Sequence, residues 1–125
     1  MLPAEVVMSA HTRLGEWGEG LAARFLEGQG LTLLDRRWRC RQGEIDIVAR
    51  DGSTLVICEV KTRTSEAFGS PVAAVTPIKV RRLRRLAAAW LEAHDHSASD
   101  VRLDVIGILA DHGGRPLIEH LRGVG

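Results

Sequence analysis

Leu55-Val56-Ile57-Cys58-Glu59-Val60-Lys61 is the stretch that decides the fold. Its first four residues form an uninterrupted apolar run, the pattern of a strand buried on both faces of a sheet. Strand side chains alternate with period two, so Glu59 and Lys61 share one face while Val60 returns to the core. Charges at the mouth of a buried strand are costly unless they are paired or bound to a metal. Upstream, Asp46 closes the sequence Gly43-Glu44-Ile45-Asp46. The link Arg50-Asp51-Gly52-Ser53 contains Asp-Gly, a strong hairpin-turn dipeptide. It predicts neighbouring strands over 45–50 and 55–61.

Two carboxylates and a lysine so placed are what metal-assisted phosphodiester hydrolysis requires. Mg²⁺ is a hard cation that takes oxygen ligands, usually one or two carboxylates plus water and substrate phosphate. Asp46 and Glu59 would supply those oxygens if their strands adjoin. Lys61 would hold a water nucleophile or meet charge developing on the phosphate. The plainer reading of the same residues is a Glu-Lys ion pair capping a strand.

A chain of 125 residues is one domain by length. Its apolar and charged content, 45% and 26%, are ordinary for a globular protein. Net charge is only +1, so bulk electrostatics do not announce nucleic acid, but the distribution is uneven. Lys79 to Arg85 holds five cations and no anion, whereas Glu92 to His120 holds six anions and two cations. That asymmetry suits a protein with one phosphate-facing side, or simply a solvated helix face. Cys40 and Cys58 form no Cys-x-x-Cys pair and fit a reducing, cytoplasmic setting. No apolar run approaches the roughly 18 residues of a membrane span, and the start lacks the basic region of a signal peptide. His94-x-His96 has no partner cluster for zinc. There is no glycine-rich phosphate loop, no internal repeat and no defensible Ser-His-Asp order.

Residues 1–12 read as a flexible tail and 13–125 as one domain. A first helix is expected from about Arg13 to Gln29, with Thr12 as N-cap. Leu14, Trp17, Leu21 and Phe25 would form its buried stripe, leaving Glu19 on the flank near Ala22 and Leu26. Leu31 to Asp35 reads as a strand. Arg36-Arg37-Trp38-Arg39-Cys40-Arg41 sets four arginines around a tryptophan. Arg37 and Arg39 there are candidate nucleic-acid contacts, or a charged edge with Trp38 in the core. The long connection over 62–77 is a candidate for shaping substrate entry. A second helix should begin at Pro77 with Thr76 as cap. Lys79, Leu83, Leu86 and Trp90 share its core-facing stripe, so Lys79 either points to the site or snorkels along Leu83. Strands over 101–109 and 117–121 should complete the sheet, with Asp104 as a structural charge or a support for the site.

Taken together, Gly18-Glu19, Gly43-Glu44-Ile45-Asp46, Val56-Ile57-Cys58-Glu59-Val60-Lys61-Thr62-Arg63 and Ala74-Val75-Thr76 with Lys79 resemble the PD-(D/E)XK nuclease superfamily. More narrowly they resemble the bacterial YraN-like proteins, over about residues 14 to 120. No proline precedes Asp46, a departure from the superfamily's name at a position that varies within it. The resemblance implies an α/β fold with a restriction-endonuclease-like αβββαβ core, its mixed sheet flanked by two helices. It implies a Mg²⁺- or Mn²⁺-dependent nuclease acting on DNA or RNA. Asp46, Glu59, the Val60 carbonyl and Glu19 would then serve the metal, and Lys61 the nucleophile or the phosphate charge. Arg63 and Lys79 would contact flanking phosphates. The rivals are a nucleic-acid-binding module of this fold without catalysis, and a structural domain whose Trp38 and arginines face a protein partner. A homodimer would suit symmetric branched substrates.

Overall fold

The computed structural model describes residues 4–64 and 75–125, with side chains from residue 13 onward. The elements run α1 (Ala4–Gly28), β1 (Thr32–Cys40), β2 (Gly43–Asp51), β3 (Thr54–Arg63), α2 (Pro77–Ala93), β4 (Asp100–His112) and β5 (Arg115–Leu121). They form a five-stranded mixed sheet in the order β1-β2-β3-β4-β5. Strands β1, β2 and β3 are antiparallel neighbours, β3 and β4 are parallel, and β5 returns antiparallel to β4. The α/β reading and its αβββαβ core hold, with β5 added at the far edge. The centre of the expected 62–77 connection lies outside the described residues.

The central hairpin forms where the sequence placed it. The β2–β3 ladder closes at Asp51↔Thr54, and Gly52 sits at φ 62 at the first position of the turn. That left-handed backbone is free for glycine and strained for other residues. Parallel pairing then carries β3 onto β4 from Thr54↔Asp100 to Arg63↔Leu109, with α2 as the crossover. Val56, Ile57 and Cys58 are fully buried, as befits a central strand covered on both faces.

Each helix seals one face. Val56, Cys58, Ile47, Ala49, Ile106 and Ile108 pack with Ala22, Ala23 and Leu26 of α1. Leu55, Ile57, Ile45, Val48 and Leu103 pack with Leu83, Leu86, Ala87 and Trp90 of α2. The second helix matches its sequence reading: Pro77 occupies the first turn and the Thr76 hydroxyl accepts the Lys79 amide at 3.2 Å. Trp38 joins the α2-side cluster and meets His94 edge-on at 5.9 Å, so it belongs to the core.

Two expectations for α1 are corrected. The helix begins at Ala4 rather than Arg13, leaving Thr12 inside it rather than at its cap. Between Pro3 and Gly15 the sequence contains neither glycine nor proline to stop it. Its buried face is also rotated: Gly18, Ala22 and Leu26 lie inward while Trp17 is 41% exposed. Small residues bring the helix backbone close to the sheet, and a tryptophan stripe would hold it off. Strand β1 is likewise longer than expected, running on through Cys40, with a register shift between Leu33 and Asp35.

A buried polar knot pins β4. Asp104 is fully buried and accepts from Arg102 Nε and Nη2 at 2.9 and 3.0 Å. It also bonds His120 Nε2 at 2.8 Å and accepts the Gly123 amide at 3.1 Å, while Arg102 reaches on to Asp51 at 3.0 Å. Asp104 therefore serves the architecture, joining β4, β5, the chain beyond β5 and the β2–β3 turn.

Candidate functional site

The site begins where two central strands part. The β2–β3 ladder runs from Asp51↔Thr54 to Ile47↔Cys58 and stops. Beyond it the Val60 amide donates to Asp46 Oδ2 at 2.8 Å, so a side chain replaces a ladder carbonyl. Ile45 packs on the α2 side and Ile47 on the α1 side, which means that strand alternation breaks at Asp46. The neighbouring strand is irregular at the same level. Arg36↔Ile47 and Trp38↔Ile45 place Arg37 opposite Asp46, and Arg37 has φ 52.

Helix α1 reaches this fork through one glycine. A Cβ on Gly18 would come within 1.8 Å of Thr62 Oγ1, so the helix seats directly on the end of β3 and carries Glu19 with it. Glu19, Glu44 and Asp46 each bring a carboxylate oxygen to one place, all within 4.8 Å of one another. Sequence reasoning missed Glu44. The signal was present, because Glu44 and Asp46 stand two apart on one strand, as Glu59 and Lys61 do. Arg37 Nε donates to Glu19 Oε2, and its Nη1 lies 3.3 Å from Glu16 Oε1.

A second half of the site is cationic. Glu59 lies 3.4 Å from Lys61 Nζ and 3.9 Å from Lys79 Nζ. The two lysines come from the end of β3 and the start of α2, so Lys79 does point to this region.

The sequence profile of the uncharacterised protein family UPF0102 matches residues 18–108. The chain belongs to the UPF0102 family. A UPF0102 protein of Beutenbergia cavernae is 55% identical over 118 residues, covering 94% of this chain and 100% of its own length. One from Streptomyces coelicolor is 56% identical over 119 residues, covering 94% and 92%. Another from a Nocardioides strain is 54% identical over 112 residues, covering 90% of each. The matched span contains every carboxylate and lysine of the fork, from Glu19 to Lys79.

In this UPF0102 protein the expected site residues are sorted rather than simply gathered. Glu19 and Asp46 converge with Glu44, while Glu59 is held by two lysines at the border of that group. Val60 meets Asp46 through its amide N–H. Arg37 and Arg39, candidates for phosphate contact or for a charged edge, are paired with acids: Arg37 with Glu19 and Glu16, and exposed Arg39 with Glu44 at 3.5 Å. Arg63 keeps a buried Nε with no hydrogen-bond acceptor among the described residues. Arg84, on the basic helix, donates to the Gly125 carbonyl at 3.0 Å.

Electrostatics follow the geometry. Burial pushes the Asp46 carboxyl up to about 6, and the charges of Glu19, Glu59 and Glu44 add to it against the Val60 hydrogen bond. Burial lowers the Lys79 pKa, with Lys61 acting in the same direction and Glu59 opposing. The Asp46 shift has a signed consequence for the metal-free chain. The folded state binds this proton more tightly than the unfolded state, so stability declines as pH rises from about 4 to about 6. The full effect is on the order of 3 kcal/mol. Urea midpoints measured across that range in EDTA should fall for the native chain and stay flatter for Asp46→Asn. An identical slope in both would assign the titration to another group.

Proposed function

We propose that this UPF0102 chain is a metal-dependent nuclease-like protein of the PD-(D/E)XK type, acting on nucleic-acid phosphodiester bonds. One observation carries the reading: three carboxylates converge at the fork between β2 and β3, and Glu59, whose charge acts on Asp46, is paired with two lysines. The donor set fits Mg²⁺ or Mn²⁺, both of which favour carboxylate oxygen. Asp46, raised to about 6 beside three other carboxylates, is a group that a nearby cation would relieve.

Glu19, Glu44 and Asp46 would hold the ion, with Glu59 at their border. A bound divalent cation would polarise a phosphoryl oxygen and lower the pKa of an attacking water. Lys61 and Lys79 would meet negative charge on the phosphate, and Glu59 holds both ammonium groups in place. Arg63, two residues beyond Lys61 on β3, would bring its guanidinium to a flanking phosphate. A second reading, a nucleic-acid-binding module without independent catalysis, draws support from the same ion pairs. Arg37 already neutralises Glu19, and the lysines already neutralise Glu59.

The test is a substrate panel of linear, flapped, four-way-junction and single-stranded DNA plus RNA. Each is incubated with Mn²⁺ or Mg²⁺, with EDTA, and with Asp46→Ala in place of the native chain. Cleavage that needs the metal and vanishes in Asp46→Ala is expected. Binding that weakens with salt but brings no cleavage would favour the binding module, since phosphate neutralisation drives such affinity. Neither cleavage nor binding would sink both readings.

A further inference from the structure

Arg37 is a strained residue at an irregular point of β1. At φ 52 it occupies the left-handed region, where a bulky side chain is a strained outlier. Such a conformation persists only when its surroundings hold it. Two carboxylates do so here: Glu19 accepts from Arg37 Nε, and Glu16 lies 3.3 Å from Nη1. The β1–β2 register sets this residue opposite Asp46. Among the described residues, Arg37 pairs with Glu19 and Arg39 with Glu44, and Arg39 extends into solvent at 78% exposure.

Three carboxylates within 4.8 Å repel one another when no cation lies among them. A guanidinium fixed on Glu19 offsets part of that charge. It also occupies one oxygen of a group that the proposed site needs, and its charge opposes the approach of a second cation. Both effects tie divalent-ion binding to the Arg37–Glu19 pair.

We propose that Arg37 is the built-in counter-ion of the carboxylate cluster, and that a divalent cation binds there in competition with it. This inference rests on the nuclease-like reading of the site and assigns Arg37 to the acids rather than to phosphate. Arg37 acts through Glu19 and is a positioning residue. In the metal-free protein it holds the cluster together, and on loading it yields Glu19.

Titration calorimetry with Mn²⁺ alone tests this on the full chain. The variants are Arg37→Gln, Arg37→Lys and Arg37→Gly, with Asp46→Ala marking binding at the cluster. Glycine removes the charge and also suits φ 52, so one charge-free variant folds without backbone strain. Competition predicts that Arg37→Gln and Arg37→Gly bind Mn²⁺ at least about five-fold more tightly, the lower end of typical coupling between two ligands. Arg37→Lys, which keeps the charge, should stay near the native chain. A second readout is the thermal midpoint: Mn²⁺ should raise it more in Arg37→Gly than in the native chain. Unchanged or weaker Mn²⁺ binding in both charge-free variants, with native binding lost in Asp46→Ala, would overturn the counter-ion role and leave the site reading intact. No Asp46-dependent Mn²⁺ binding in the native chain would overturn both.

Discussion

Lys61→Ala is expected to leave the fold intact and to lower cleavage by ~10²-fold or more, the usual effect of removing one stabiliser of transition-state charge. The fold should survive because Lys61 is only partly buried and lies at the open end of β3. Its partner Glu59 also retains Lys79 at 3.9 Å, so no buried carboxylate is left without a cation. The effect should fall on turnover more than on binding, since exposed arginines elsewhere still attract phosphate. Initial rates with Mn²⁺ on the best substrate of the panel, set beside urea midpoints, separate the two. Native rates in Lys61→Ala would remove this ammonium from the chemistry and leave Lys79 as the remaining lysine candidate.

Asp104→Ala should act on stability instead, with a loss of about 3–5 kcal/mol, the cost of breaking a buried ion pair by deleting one partner. The deletion removes the acceptor of two Arg102 bonds and of the Gly123 amide, together with the His120 contact. Among the described residues, Arg102 would be left with Asp51. Burial pushes the Asp104 carboxyl up, but Arg102, Gly123 and His120 outweigh it and hold the carboxyl below its ordinary value. Its stabilising contribution is therefore present at neutral pH and fades as the solution is acidified, opposite in sign to that of Asp46. Chemical unfolding at pH 7 measures the loss. A change below about 1 kcal/mol would mean that the surrounding groups find water readily and that the knot is ornamental.

Much of this was legible in the sequence because the decisive signals were local. An apolar run followed by Glu59 and Lys61, an Asp-Gly turn, and a Thr76-Pro77 helix start each depend on a few adjacent residues. The misreadings were tertiary. Trp17 carries the strongest apolar signal of its turn, yet it faces solvent, because the close seat of α1 on β3 requires the unobtrusive Gly18, Ala22 and Leu26. The pairing of Arg37 with Glu19 lay beyond the sequence reading because it depends on a left-handed backbone and a helix distant in sequence. Glu44 was overlooked for a different reason. Its two-residue spacing from Asp46 was in plain view, but the strand expected over 45–50 begins at Gly43, which brings Glu44 into the alternation.

The hydrogen bond from Val60 to Asp46 limits how such a protein drifts. One carboxylate serves both the chemistry proposed for the fork and the main chain that forms it. Most substitutions at position 46 would strand a partly buried amide as well as delete a ligand, so lost activity would arrive together with a loosened sheet. Asparagine is the quiet exception, since its amide oxygen still accepts the Val60 proton while its charge is gone. An inactive descendant that kept this architecture would pass most easily through that single door.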